Sequence, residues 1–176
     1  ELNVRAAGWY TDKLGDHAAA EACLRAALAA DVETPEAHEK LVALLRAPGR
    51  AADLVAALRA WAESDSDEFG KKERLREAAR IAEAELSDHE IAGTCLSSLL
   101  DIDGGDVEAL ADLSRIRAAQ GRHAEVAELL VRRIDVEMSP EARLDLRRQL
   151  AALYAGPLDP PAGPVTSSYR TLTEVE

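Results

Sequence analysis

Two Asp-His pairs, Asp16-His17 and Asp88-His89, are the first residues whose types could do chemistry. A carboxylate beside an imidazole is the smallest acid–base pair a catalytic site uses. The pairs stand 72 residues apart at matching places in the chain, however. One catalytic centre needs one such pair, whereas every helix start has unsatisfied N–H groups that an Asp can accept from. Each Asp is therefore expected to cap a helix, with the His packed on the turn. Asp101-Ile-Asp103-Gly-Gly-Asp106-Val-Glu108 offers a second chemistry, oxygen ligation of calcium. A helix–loop–helix calcium site wants its third acid or amide before the glycine. Here Gly105 precedes Asp106, and the stretch matches Asp31–Glu36 one period earlier. It reads as a turn between helices.

Nothing else in the chain pairs a nucleophile with a base, cradles a phosphate or spaces Cys and His for zinc. Cys23 and Cys95 read as small apolar core residues, since a disulfide scaffold uses more cysteines in a shorter chain. Ser64 and Ser66 lie in an acidic stretch that reads as a solvated loop. The residues imply no enzyme, no metal and no cofactor.

Helices must position whatever the chain presents. Hydrophobic residues make up 47% of the 176 but aromatics only 3%, so the apolar content is mostly Ala and Leu, the best helix formers. Few β-branched residues favour strands. The net charge of −12 argues against a nucleic-acid partner, which would need a basic stripe for the phosphates. Lys71, Lys72, Arg74 and Arg76 are interleaved with Glu68, Glu73 and Glu77. No apolar run approaches the ~20 residues that cross a bilayer. The chain opens at Glu1 without Met or a signal-peptide pattern, which points to a segment of a longer protein whose localisation is not readable, a cytoplasmic one being favoured over export.

Repetition is the main signal. Gly15 and Gly49 are 34 residues apart, and Gly49 and Gly121 are 72 apart, as are Cys23 and Cys95. Residues 16–64 overlie 88–136 without a gap, matching Leu24 with Leu96, Glu36-Ala37 with Glu108-Ala109 and Leu58 with Leu130. Apolar residues recur three and four apart, as in Leu41, Leu44, Leu45 and Leu54, Leu58, Trp61. Thr34-Pro35-Glu36 and Ser139-Pro140-Glu141 each supply a cap, a Pro at the first helical position and an early acid. Gly15, Gly49 and Gly121 suit the left-handed residue that ends a helix. The pattern predicts five helix pairs, with first helices near 2–14, 35–47, 68–86, 106–120 and 140–155. Second helices are predicted near 17–30, 51–64, 88–102, 122–136 and 163–176.

The first unit resembles the tetratricopeptide repeat (TPR) through Gly8, Lys13-Leu14-Gly15-Asp16, Ala20, Ala27-Leu28 and Asp31. The alternation over two units is similar to large bacterial proteins of that family, of which the chain would be a fragment. Gly8 and Ala20 would be the small pair where helices cross closely. Val42 and Leu54, then Ser114 and Val126, depart from it. Arg80 stands at that place in the third unit, so either its hairpin splays or the register there is off by one.

The resemblance implies an all-α, right-handed α-solenoid of about five antiparallel hairpins spanning 1–176, in units 1–34, 35–67, 68–105, 106–138 and 139–176. It also implies a concave groove lined by first helices, which presents Leu2, Arg5, Trp9 and Lys13, then Glu39 and Arg46, Arg74 and Glu77, Glu108 and Arg115, and Arg148. The five arginines could grip the carboxylates of an extended or acidic peptide. The favoured alternative is that they are ordinary solvated charges paired with nearby Glu. Trp9 is either a partner's anchor or a contact for a preceding repeat. Trp9 and Glu36 do not supply the Lys and Asn clamp with which some relatives hold a terminal carboxylate. Ala43, Ala47, Ala111, Ala118, Ala119 and Ala152 make the groove shallow. The expected function is a scaffold for a protein or peptide partner, with uncapped ends that favour self-association. The alternative is a spacer or regulatory segment of a multidomain signalling enzyme.

Overall fold

Short stops between long runs of Ala, Leu and charged residues leave the backbone one regular option, the helix. The computed structural model describes residues 1–158, and among them the chain is all-α. The first helix, α1 (Leu2–Trp9), passes directly into a π-helical turn, Tyr10–Leu14. Then come α2 (His17–Ala30), α3 (Pro35–Leu45), α4 (Ala51–Ser64), α5 (Glu68–Ala84), α6 (His89–Ile102), α7 (Val107–Ala119), α8 (His123–Val136) and α9 (Pro140–Tyr154). The predicted helices fall at these places within a few residues. The one expected near 163–176 lies outside the described residues.

The stops work as their residue types require. Gly15, Gly49 and Gly121 take φ of 64°, 80° and 71°, a backbone region that costs L side chains and not glycine. Ser87 holds the equivalent corner of the third hairpin at φ 54° without that freedom. Asp16 accepts from the Ala19 N–H at 2.9 Å and Asp88 from Ile91 at 2.9 Å, while His17 and His89 are exposed. Both Asp-His pairs are thus helix starts. Asp106 caps α7 through the Ala109 N–H, and the Gly104 carbonyl accepts from Arg132 of α8, so the calcium-like stretch is a tied turn.

The described chain forms two compact units, Glu1–Ile102 and a second beginning at Asp103. In the first, each helix packs on its chain neighbours: α1 on α2, α2 on α3, and so on to α6. In the second, α7 packs on α8 and α8 on α9. Connections of a few residues between packed helices force neighbours antiparallel, so each unit is a run of hairpins. Stability in such a run comes from neighbour interfaces, because no hairpin buries its apolar stripe alone. Leu24, Leu45, Leu58 and Leu99 are fully buried in the first unit, and Leu110 and Ile116 in the second. Val126, Ala127, Leu130, Leu146 and Leu150 form one buried cluster where α8 meets α9.

The third hairpin resolves the Arg80 question. Arg80 is exposed, and Ala78, Ala79 and Ala82 are buried instead. Val42 lies twelve residues before Leu54, whereas Ala79 lies thirteen before Ala92, all four buried. The third hairpin thus has one more residue between its inward positions, which puts Ala79 where the repeat spacing puts Arg80. Cys95 is buried, and burial pushes its thiol up from the ordinary value. Cys23 is only half-buried.

Candidate partner-binding grooves

Small side chains on first helices leave space between them, and the second helix underneath supplies its floor. In the first unit a groove of about 340 Å³ runs between α1 and α3, lined by Gly8, Asp12, Lys40 and Ala43 over Leu24. Leu24 is 1% exposed, so the floor is rigidly packed. Thr11 also faces the groove and donates from its hydroxyl to the Ala7 carbonyl at 3.0 Å. Both Thr11 and Asp12 sit in the π turn, whose extra residue per turn rotates the side chains that follow Tyr10. Lys40 is tied to Glu36 at 2.8 Å, one helical turn away.

The second unit has a groove of about 420 Å³ between α7 and α9. Ser114, Arg115 and Ala118 of α7, Gln149 and Ala152 of α9, and Leu130 and Arg133 of α8 line it. Gly8, Asp12, Leu24 and Ala43 lie 106 residues before Ser114, Ala118, Leu130 and Gln149 respectively. That offset is one 34-residue unit plus one 72-residue period. The two grooves are the same feature built twice, with the floor leucine kept and the rim changed.

The residues singled out from the sequence are distributed unevenly over these surfaces. Arg115 lines the second groove, near Asp112 at 3.4 Å. Arg5, Trp9, Lys13 and Glu39 are exposed but do not line the first groove, whose rim is Asp12, Lys40 and Ala43. Trp9 is 56% exposed and meets Tyr10 edge-to-face. Arg46 pairs with Glu77 at 2.6 Å, joining the end of α3 to α5. Arg148 pairs with Asp145 on its own helix at 3.0 Å. Of the alanines expected to flatten the groove, Ala43, Ala111, Ala118 and Ala152 do line one.

Arg74 is engaged elsewhere. Its guanidinium lies 3.7 Å over the Trp61 ring and pairs with Asp65. His38 stacks on Trp61, with centroids 5.7 Å apart and planes 3° from parallel. His38 is 2% exposed, and its Nε2 reaches the Val32 carbonyl at 2.8 Å and the Ser64 hydroxyl at 3.1 Å. A carbonyl only accepts, so Nε2 carries the proton, and the buried Nδ1 is left without a partner. This cluster ties α3, α4 and α5 together, with a cation–π contact worth about 0.5–2 kcal/mol. Asp65 is held below the ordinary carboxylate range, chiefly by the backbone N–H of Asp67, with Arg74 adding to it. The sequence signal for it was weak: a His at an apolar helix position and a Trp near the end of the next helix.

Among the described residues no group of three or more His, Cys, Asp or Glu side chains could hold a metal ion. None of the described helices is long and apolar enough to cross a membrane.

Fold and grooves together define the class: an all-α helical-repeat protein. No family model matches the chain, and no curated protein matches it. It is similar to several solved structures of repeat proteins. MamA is 16% identical over 83% of this chain and 81% of its own, at a TM-score of 0.48. YrrB, a TPR protein with an unusual peptide-binding site, is 12% identical over 87% and 75%, also at 0.48. The nearly identical TPR-like repeats of a putative kinesin light chain from Podosopora anserina are 19% identical over 88% and 84%, at 0.49.

Proposed function

We propose that this chain is a protein-interaction scaffold that holds an extended peptide segment of a partner in the grooves between its first helices. The observation that carries this reading is the repetition of one groove in both units, at the same register and over the same buried leucine. Packing explains the leucines, because each fills the space under two helices. It does not require open space above them, which larger side chains at Ala43 or Ala118 would fill. Open grooves with apolar floors and a few polar rim groups suit a peptide backbone with side chains on alternating sides.

Selection of displayed random peptides of roughly 12 residues, about 40 Å when extended, on the intact chain tests this. Groove-dependent peptides are expected to lose binding to Ala43→Trp or Ala118→Trp. Peptides that bind both variants as well as the parent chain would overturn the reading.

A spacer or regulatory segment is the second reading, favoured by the ion pairs that occupy Arg46 and Arg148. Cations already paired within the chain have less to offer a partner. A selection that returns no groove-dependent peptide supports the spacer.

A further inference from the structure

The two grooves differ in charge, and the difference points to a ligand class. Residues 1–102 hold 20 acids and 12 bases, whereas residues 103–158 hold 10 and 8. The first groove pairs its one cation, Lys40, with Glu36 and carries Asp12 on its rim. The second has two arginines, Arg115 and Arg133, and no acid among its lining residues.

Arg133 is the informative one. It rises from α8 beneath the groove and is half-buried. Its Nε is buried with no partner, and it makes no hydrogen bond or ion pair among the described residues. A guanidinium in that state has lost part of its water and gained nothing in exchange, which is costly unless an acceptor arrives. Arg115 is half-exposed and counts Asp112, at 3.4 Å, among its partners. A solvent-screened pair of that kind is weak and open to competition.

We infer that the groove between α7 and α9 binds an acidic, extended peptide segment through its side-chain carboxylates, with Arg133 gripping one and Arg115 a second. Two cations on one groove call for two carboxylates, which a single chain terminus cannot supply. In an extended strand residues i and i+2 point the same way, so alternating acids present both to the arginines. The intervening side chains point away from the arginines, and the Gln149 amide can donate to the peptide backbone. A planar guanidinium meets a carboxylate with two parallel hydrogen bonds, which an ammonium cannot reproduce. The inference rests on the groove reading above and names its ligand.

The test uses the intact chain and peptides of four Glu-Val repeats, capped at both ends and carrying a fluorophore, with Gln-Val and Lys-Val repeats alongside. Anisotropy is expected to report binding of the Glu peptide that weakens with salt, and at least tenfold weaker binding of the Gln peptide. Arg133→Gln should cost the Glu peptide about tenfold or more, and Arg133→Lys should recover only part of that. Arg147→Gln, exposed on α9 and outside both grooves, should change nothing. Melting curves of each variant exclude unfolding. Equal binding of Glu and Gln peptides that Ala118→Trp abolishes would overturn the carboxylate claim and leave the groove standing. Binding untouched by Ala118→Trp and Ala43→Trp would remove the groove itself. No binding of the Glu peptide, or preference for a Gln peptide with a free terminal carboxylate, would also overturn the inference.

Discussion

The groove between α1 and α3 and the groove between α7 and α9 occupy one register of the repeat, 106 residues apart, and share little beyond their floor. Leu24 and Leu130 are both leucine, both nearly inaccessible and both under the meeting line of two first helices. On the exposed rims Asp12 becomes Ala118 and Ala43 becomes Gln149, while the buried Ser114 replaces Gly8. The contrast separates two kinds of constraint. A floor residue touches several helices at once and has only one size that fits. A rim residue touches solvent, so its chemistry is free to vary without disturbing the hairpins.

The largest effects should therefore come from the floors, and they should match. Leu24→Ala and Leu130→Ala each remove a buried side chain from a tight interface and should cost about 3 kcal/mol. Urea unfolding of the two variants measures this. A loss near that size in one and under about 1 kcal/mol in the other would break the equivalence, since a leucine that costs so little is not packed as a floor.

How far this equivalence could be read from the sequence depended on whether the signal was local. Helix starts and stops were legible because Pro35, Pro140, Asp16, Asp88 and the three glycines act on the backbone within a few residues of themselves. The offset between α3 and α5 was not, because one extra residue between inward positions changes which residue faces in while leaving the periodicity intact. Arg80 looked buried for that reason, and Ala79 is. The floor leucines stood out in the repeat, but the partners of the rim did not. Arg74 meets Trp61 and Asp65, and His38 stacks on the same Trp61 ring from the preceding helix, and no spacing rule brings these together. Asp12 and Thr11 reached the groove through a π turn, which has no sequence signature.

A smaller effect should distinguish the units by pH. In the first, Arg50 at the start of α4 donates two hydrogen bonds of 3.0 Å to Glu21 of α2, and a third nitrogen bonds Asp53 at 2.6 Å. The places 106 residues later hold Ala127 and Gly156, so the second unit has no counterpart. The Arg50 hydrogen bonds hold the Glu21 carboxyl below its ordinary value of 4.5, against the opposing effect of burial, with Arg25 adding to the lowering. A carboxylate whose folded value is depressed stabilises the fold fully above the unfolded value and loses that contribution as the pH falls through the folded one. The stability gap between the parent chain and Glu21→Gln should thus be widest near neutrality and close below 4.5, and should stay well under the leucine losses. A gap that is flat from pH 7 to about pH 3 would show that the pair contributes nothing through charge.

The smallest expected effect repairs a difference between the two second helices. Asp16 caps α2, whereas the matching residue before α8 is Arg122, which makes no side-chain cap and bonds Glu125 at 2.5 Å instead. A cation at a helix start opposes the positive end of the helix dipole, and the first backbone N–H groups there lack a side-chain acceptor. Arg122→Asp would place an acceptor at the cap with Glu125 three residues on, the spacing at which an early acid reaches back to the cap N–H. The gain should be about 0.5–1 kcal/mol, after allowing for the lost contact with Glu125. Asp16→Arg in the first unit should lose a similar amount, so the two exchanges together should nearly cancel in a thermal melt. A loss of stability from Arg122→Asp would mean that the ion pair with Glu125 outweighs the cap, and that the two hairpins start their second helices by different physics.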